Sequence, residues 1–269
     1  MLTVAYDGTN YSGWQIQPNK ETIEGILNRE LSLLLKEEIK VIGASRTDSG
    51  VHALGAVCVF DTESRIPGEK FSYAINQSLP NDIMVTKSME VDADFHPRKV
   101  PCRKTYRYSI WHSEFDNPME SRYSHHVYTK LDIDEMKKAC EYFKGKHDFK
   151  AFCSAHTDVE TTVRTVYDVH IDIVKEKSLL ECSGMLRSSV SKGGSEKIEI
   201  YVTGNGFLYN MVRIISGTLI DVGKGKIKAE EIPEIIESHD RQRAGQTAPA
   251  KGLTLIGYRY SSKSKKNDK

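Results

Sequence analysis

Residues 43–55, GASRTDSGVHALG, form a polar, glycine-containing loop between two apolar runs, and the interpretation of the first third of the chain depends on them. The flanking runs, Lys40–Ala44 and Ala56–Phe60, are rich in β-branched and aromatic residues, which favour strands. We therefore expect the Arg46–Leu54 loop to be held between two strands.

Strands and helices alternate around this loop. Leu2–Tyr6 is a short apolar run that ends in turn residues, and apolar residues recur at helical spacing after Thr22, which is placed to cap a helix. A second helix is predicted over residues 67–79 and a further strand over Ile83–Lys87. The order β-α-β-β-α-β predicts a split βαβ unit of the ferredoxin-like kind, ending near Arg98.

The remaining sequence predicts a second α/β lobe. Strands are expected over residues 104–111, 164–174, 196–202 and 252–260, and helices over residues 132–143, 208–222 and 229–238. The fold class expected is therefore α+β, with two ferredoxin-like lobes, residues 1–98 and 99–260, whose antiparallel sheets flank a central cleft. Residues 185–197 predict a flexible hairpin tip, and residues 261–269 a disordered tail.

Composition narrows the class of protein only broadly. The 269 residues are 39% hydrophobic and 28% charged, which is typical of a globular protein. The net charge of +1 argues neither for nor against a nucleic-acid partner. The N-terminal residues lack the apolar core of a signal peptide or membrane span, so we expect no membrane partner and a cytoplasmic location. Five cysteines without a CxxC pair, and histidines without ligand spacing, predict no metal site.

Asp48 is the candidate reactive group of the central loop. It lies between turn residues, close to Arg46, and Gly50 follows where the backbone could approach another group closely. Two interpretations are open, since an aspartate in such a turn can be catalytic or can simply hydrogen-bond its own backbone. The local pattern does not separate them.

The loop resembles GAGRTDAGVHA, the signature of the tRNA pseudouridine synthase A family, in which the aspartate is catalytic. Further similar segments follow in order along the chain, at residues 6–15, 95–98, 104–108, 146–149, 204–213 and 244–253. The resemblance implies the pseudouridine synthase fold with an RNA-binding cleft and a homodimer that acts without cofactor or metal. Ser45 and Ser49 depart from the family pattern, which has Gly and Ala there.

The implied reaction is the isomerisation of uridine to pseudouridine in the tRNA anticodon stem-loop, at positions 38–40, with Asp48 as nucleophile and the target base flipped out. The resemblance further implies that Tyr106 stacks on the uracil, that Arg213 pairs with the Asp48 carboxylate and that Leu208 forms a pocket wall. Arg46 could bind RNA phosphates. The alternatives are a core position for Tyr106 or Leu208 and an ordinary surface position for Arg213 or Arg46.

Three other residues carry two interpretations each. Arg98 could bind phosphate and His52 could touch the flipped strand, or both could be ordinary surface residues. Trp14 lies beside Gln15 in a loop that the family places near RNA, and core packing is equally compatible with the sequence.

Two alternative functions also fit. A protein of another class, an RNA chaperone or binding module, would use the cleft without turnover. A synthase with the same chemistry could act on another tRNA position or another RNA, and Ser45, Ser49 and the segment 185–197 keep that alternative open.

Overall fold

The computed structural model describes residues 1–154, 159–175 and 195–261. Residue contacts divide the chain into two compact units. Unit 1 comprises Met1–Lys104 and the C-terminal residues from Leu255, and unit 2 comprises Thr105–Thr254. The last strand, which the sequence placed in the second lobe, thus contributes to unit 1 from Leu255 onward. The predicted lobes, 1–98 and 99–260, stay a prediction.

Unit 1 has the predicted alternation of strands and helices. Its elements are β1 (Leu2–Tyr6), α1 (Ile23–Leu35), β2 (Ile42–Gly43), β3 (His52–Val59), α2 (Phe71–Ile75), β4 (Ile83–Ser88) and, from Leu255, the last strand β10 (Leu253–Tyr260). The strand order is β4-β1-β3-β10, and β2 pairs with β3. The pairs β1–β3, β1–β4 and β2–β3 are antiparallel.

Helix α1 confirms the predicted amphipathic helix. The Thr22 side chain accepts a hydrogen bond from the Gly25 N–H (3.3 Å) and satisfies one of the donors that a helix start leaves free. The residues that face the core are Ile23, Ile26, Leu27 and Leu31. Lys36, in the left-handed conformation, ends the helix.

Two elements of unit 1 differ from the prediction. Strand β3 begins at His52 rather than at residue 56, because Ala53 pairs with Tyr6 of β1, so the loop after Arg46 is shorter than expected. Helix α2 ends at Ile75 instead of continuing to residue 79. A hydrogen-bonded turn follows the helix, and the Asn76 side chain ties it to β4 through two hydrogen bonds with the Val85 backbone (2.9 and 2.8 Å).

Unit 2 is also mixed α/β. Its elements are β5 (Cys102–His112, from Thr105), β6 (His125–Val127), α3 (Ile133–Tyr142), β7 (Gly145–Asp148), β8 (Val163–Lys175), β9 (Glu196–Gly204), α4 (Met211–Gly223) and α5 (Ile232–Ser238). The strand order is β5-β9-β8-β7. Helix α3 lies within the predicted range, the Asp132 side chain caps its start, and it packs against α4 and β8.

Several details of unit 2 correct the prediction. Strand β6 pairs with β5 in parallel, so the expectation of purely antiparallel sheets was wrong. The short strands β6 and β7 were missed, and α4 begins at Met211 rather than at residue 208 because Asn210 adopts a left-handed conformation. Most of the predicted hairpin tip, residues 185–194, and the tail from residue 262 lie outside the described residues.

Helix α4 is the buried centre of unit 2. Eleven of its residues are buried. Gly217 lies so close to the backbone of Gln246 that a Cβ at this position would be 1.8 Å from the Gln246 carbonyl oxygen. Only glycine allows that approach. The approach fixes residues 244–249 against the helix. No helix among the described residues is long and apolar enough to cross a membrane.

Candidate active site

The turn that carries Asp48 is built on a glycine. The Val51 N–H donates to the Asp48 carbonyl oxygen (3.1 Å), which closes a four-residue turn. Gly50, the third residue, has φ +75°, a conformation that side chains with a Cβ rarely adopt. Asp48 itself is half-buried. The turn therefore holds a carboxylate at a defined position without enclosing it.

A second loop of unit 1, residues 7–14, packs against the backbone of this turn. A Cβ at Gly8 would lie 2.0 Å from the Val51 carbonyl oxygen, and one at Gly13 would lie 2.5 Å from the Thr47 carbonyl oxygen. The backbone N–H of Trp14 donates to the same Thr47 carbonyl oxygen (3.0 Å). The backbone at residues 8 and 13 therefore packs directly against the backbone on both sides of Asp48. This close packing accounts for the glycines at these two positions.

Trp14 is a core residue. It is 1% exposed, and its indole lies against Gly43, where any Cβ would meet the ring at 2.5–2.8 Å. The indole Nε1 has no hydrogen-bond partner among the described residues, a cost that the burial of a large aromatic surface offsets. Of the two interpretations of Trp14, the structure supports packing, while the neighbouring Gln15 is exposed.

Tyr11 continues the same support. Its hydroxyl donates to the Asp82 carboxylate (2.6 Å), and its carbonyl oxygen accepts from the Gly50 N–H (3.3 Å). Burial, followed by the hydrogen bond to Asp82, raises the pKa of Tyr11 above its ordinary value, so the residue stays a neutral donor. Tyr11 thereby joins the Asp48 turn to the start of β4.

His52 and Arg98 contact protein groups within unit 1. His52 is buried, and its Nδ1 accepts from the Gly8 N–H (3.0 Å) and lies 3.1 Å from the Asp7 carboxylate. Arg98 is exposed overall, but its Nε donates to the Gly43 carbonyl oxygen (2.7 Å). Both side chains therefore brace the two ends of the loop, a role that the sequence did not indicate.

The two serines that depart from the family pattern each make a hydrogen bond. The Ser45 and Tyr258 hydroxyls are bonded to each other, which links the loop to β10. Ser49 is exposed and its hydroxyl donates to the Tyr11 carbonyl oxygen at 3.3 Å, a longer bond. Arg46, between the two serines, is exposed.

Three predicted site residues lie in unit 2. Tyr106 is 7% exposed, and its ring packs edge-on against that of Phe207, with the ring centres 5.4 Å apart. Leu208 is buried and immediately precedes the turn into α4. Tyr106 and Leu208 are therefore both packed side chains of unit 2, and the edge of the Tyr106 ring is covered by Phe207.

Arg213 is oriented by two acceptors. Its Nε donates to the Ala248 carbonyl oxygen (2.7 Å) and its Nη1 to the Asn210 side-chain oxygen (2.8 Å). Asn210 is in turn held by a bond from its amide to the Ser154 hydroxyl (2.9 Å). The guanidinium is thus fixed at the start of α4, and Asn210 is a supporting residue that sequence reasoning missed, although its spacing of three from Arg213 was a usable signal.

The structure groups the predicted site residues by unit. Asp48 and Arg46 share one loop of unit 1, and Tyr106, Leu208 and Arg213 lie in unit 2. Within residues 1–154, 159–175 and 195–261, no three His, Cys, Asp or Glu side chains are grouped so that they could hold a metal ion. The reactive group that the geometry offers is a carboxylate on a rigid turn.

Carboxylates are among the side chains that form covalent intermediates in enzymes. The protein holds one on a glycine-supported turn of unit 1 and has an arginine oriented by hydrogen bonds in unit 2. The family model described as tRNA pseudouridine synthase matches residues 2–98 and 139–261. The chain belongs to this family, whose members are isomerases.

Individual relatives are similar over almost their whole length. The chain is 47% identical to tRNA pseudouridine synthase A of Acetivibrio thermocellus and 49% identical to that of Ruminiclostridium cellulolyticum, in each case over 96% of this chain and 98% of the relative. It is 46% identical to tRNA pseudouridine synthase A 2 of Clostridium perfringens, over 94% of this chain and 96% of the relative.

Proposed function

We propose that the protein converts uridine to pseudouridine in the anticodon stem-loop of tRNA, at positions 38–40, with Asp48 as the nucleophile. The observation that carries the proposal is the turn 48–51, in which glycine geometry presents a half-buried carboxylate within the family's sequence signature. The names of the relatives support tRNA as the substrate.

The chemistry needs little besides a nucleophile and a shielded base. The bond between ribose C1′ and N1 of uracil breaks, the base turns over, and C1′ bonds to C5. The C5 proton leaves and N1 gains a proton, so substrate and product are isomers and no electrons are exchanged with a cofactor. A carboxylate can form the transient adduct and then depart. The reaction requires that the target uridine is flipped out of its stack.

The remaining predicted residues have roles in substrate binding in this proposal. Tyr106 stacks on the uracil, Leu208 closes an apolar side of the pocket, and Arg46 binds phosphate. Arg213 pairs with the Asp48 carboxylate and keeps it ionised. This assignment requires residues of unit 1 and unit 2 to act on one nucleotide in an RNA-binding cleft.

We propose a ferredoxin-like lobe for each half of the chain, with predicted limits at residues 1–98 and 99–260. In unit 1, the elements β1-α1-β2-β3-α2-β4 and the antiparallel neighbours β4-β1-β3-β2 support this assignment.

A cytoplasmic homodimer, in which two subunits contact one tRNA, is part of the same proposal. Sedimentation of the protein as a monomer at micromolar concentration would contradict the dimer.

The central test replaces Asp48 by Asn. The hydrogen released from C5 is measured as tritium from tRNA labelled at that position. Asp48→Asn should lower the rate by at least about a thousandfold, while tRNA binding by filter retention is unchanged. Asp61→Asn, which alters an exposed carboxylate of the same unit, is the matched control and should react at the wild-type rate. An active Asp48→Asn variant would exclude the nucleophile assignment.

The substrate position needs a separate measurement. Pseudouridines are mapped at single-nucleotide resolution in cells with and without the gene. Loss confined to positions 38–40 is expected. Unchanged modification there, with loss elsewhere, would redirect the proposal to another tRNA position or another RNA.

A further inference from the structure

Thr47, the residue before Asp48, makes a buried side-chain hydrogen bond. Its side-chain oxygen lies 2.8 Å from the Tyr6 hydroxyl, and either hydroxyl can be the donor. Thr47 is 7% exposed and Tyr6 5% exposed, so water does not compete freely for this bond. The side chain next to the proposed nucleophile is therefore tied to the core of unit 1.

The backbone of Thr47 is fixed as well. Its carbonyl oxygen accepts from the Trp14 N–H (3.0 Å), and Gly13 packs directly against the same oxygen. Thr47 thus has three contacts that fix its position, whereas the Asp48 side chain that follows it is half-buried. The direction in which the Asp48 side chain leaves the loop depends on how Thr47 is held.

Tyr6 is a rigid anchor for this contact. It is the last residue of β1, and it pairs with Ala53 of β3 on one side and with Ile83 of β4 on the other. Its ring also lies near that of Trp14, with centres 6.2 Å apart. Because the backbone of Tyr6 is paired on both sides and its side chain is buried, its hydroxyl has little freedom to follow a displaced loop.

We propose that Tyr6 is a positioning residue for the proposed nucleophile, acting through Thr47. The inference rests on the proposed role of Asp48. The Tyr6–Thr47 bond fixes Thr47, and Thr47 fixes the Asp48 side chain against the reacting uridine. Misplacement of a reacting group by an ångström slows a reaction more than it weakens binding. Loss of the bond should therefore reduce the rate and spare tRNA affinity.

Four variants separate positioning from stability. Tyr6→Phe and Thr47→Val each remove one hydroxyl and keep the shape of the side chain, the double variant removes both, and Thr47→Ser keeps the hydroxyl. The single-turnover rate with saturating enzyme, the tRNA dissociation constant and the thermal midpoint are measured for each variant. Tyr201→Phe is the matched control, because it removes a tyrosine hydrogen bond of similar length (2.9 Å, to Glu199) in unit 2.

Tyr6→Phe and Thr47→Val should each slow the single-turnover reaction about tenfold. The double variant should be no slower than either, because both single changes remove the same bond. Thr47→Ser should keep a rate near that of the wild type, tRNA affinity should change less than about twofold, and Tyr201→Phe should lose thermal stability without losing rate. Should Thr47→Val fail to fold, Tyr6→Phe and Thr47→Ser still give the comparison.

Wild-type rates for the folded Tyr6→Phe variant would overturn the inference, as would additive effects in the double variant or a rate loss matched by lost tRNA binding. Asp48→Asn keeps the two proposals apart. If it is active, the nucleophile assignment fails whatever the Tyr6 variants do. If it is inactive while the Tyr6 and Thr47 variants react normally, only the positioning role fails.

Discussion

The Asp48 turn and the Arg213 segment are held in place by different means. Asp48 sits on a turn supported mainly by backbone, since Gly8 and Gly13 allow close approaches and Gly50 allows the positive φ that the turn needs. Arg213 is oriented by hydrogen bonds, one to a carbonyl oxygen and one to the side chain of Asn210. A turn that depends on steric fit tolerates no added atom, whereas a side chain held by polar partners tolerates a change of shape but not the loss of an acceptor.

The close packing of Gly8 against Val51 predicts the largest loss of stability. Gly8→Ala places a methyl group 2.0 Å from the Val51 carbonyl oxygen, and neither backbone can move without disturbing the Asp48 turn. We expect a loss of roughly 3 kcal/mol in the free energy of unfolding, measured by chemical denaturation. Gly206→Ala is the control, because its nearest neighbour is the Arg164 side chain at 3.8 Å. Equal stability of the two variants would contradict the steric account.

The polar side predicts an intermediate effect that separates activity from stability. Asn210 has φ +61°, and its side-chain oxygen accepts a hydrogen bond from Arg213. Asn210→Gly removes the hydrogen bond but keeps the left-handed backbone conformation, which glycine adopts readily. Asn210→Ala removes the hydrogen bond and also disfavours that conformation. The two variants should lose activity equally, about tenfold, but only Asn210→Ala should be destabilised further, by about 1–2 kcal/mol.

Tritium release and thermal unfolding of the same two preparations measure these quantities. A fully active Asn210→Gly variant would show that Arg213 does not need the Asn210 acceptor.

The smallest effects should come from the two serines of the loop. Ser45→Ala removes the bond to Tyr258 and should cost about 1 kcal/mol of stability, with no further loss when Tyr258→Phe is added. Ser49→Ala removes a longer bond from an exposed hydroxyl and should change stability by less than about 0.5 kcal/mol. Denaturant titration of the three variants provides the values, and a larger effect for Ser49 than for Ser45 would reverse the ranking.

The elements that could be predicted from sequence are those that local rules determine. Helices α1 and α3 begin where Thr22 and Asp132 provide a cap. Strands β8 and β9 lie in segments where β-branched residues alternate with polar ones. The start of β3 and the end of α2 were missed because both depend on contacts distant in sequence. Pairing with Tyr6 sets the first, and the bonds from Asn76 to Val85 set the second.

The candidate site also combines residues that local sequence patterns identify with residues that only contacts distant in sequence bring into place. Asp48 and Arg213 could be proposed from the sequence because they lie in matched segments, and their roles stay predictions. The residues that hold them could not be found in this way, since the bonds of Tyr6 to Thr47 and of Arg98 to Gly43 join positions 41 and 55 residues apart. A tyrosine that ends an apolar strand gives no local sign that its hydroxyl bonds to the loop that carries Asp48.

The contact between Gly8 and Val51 has a consequence for genetics. In a saturation screen scored by growth or modification level, substitutions at Gly8 and Gly13 should be as damaging as those at Asp48, although glycine has no side chain that could react. A map of intolerant positions would therefore outline the backbone frame together with the chemistry. Scoring protein abundance in parallel would separate them, because Asp48 variants should accumulate normally while the glycine variants are depleted.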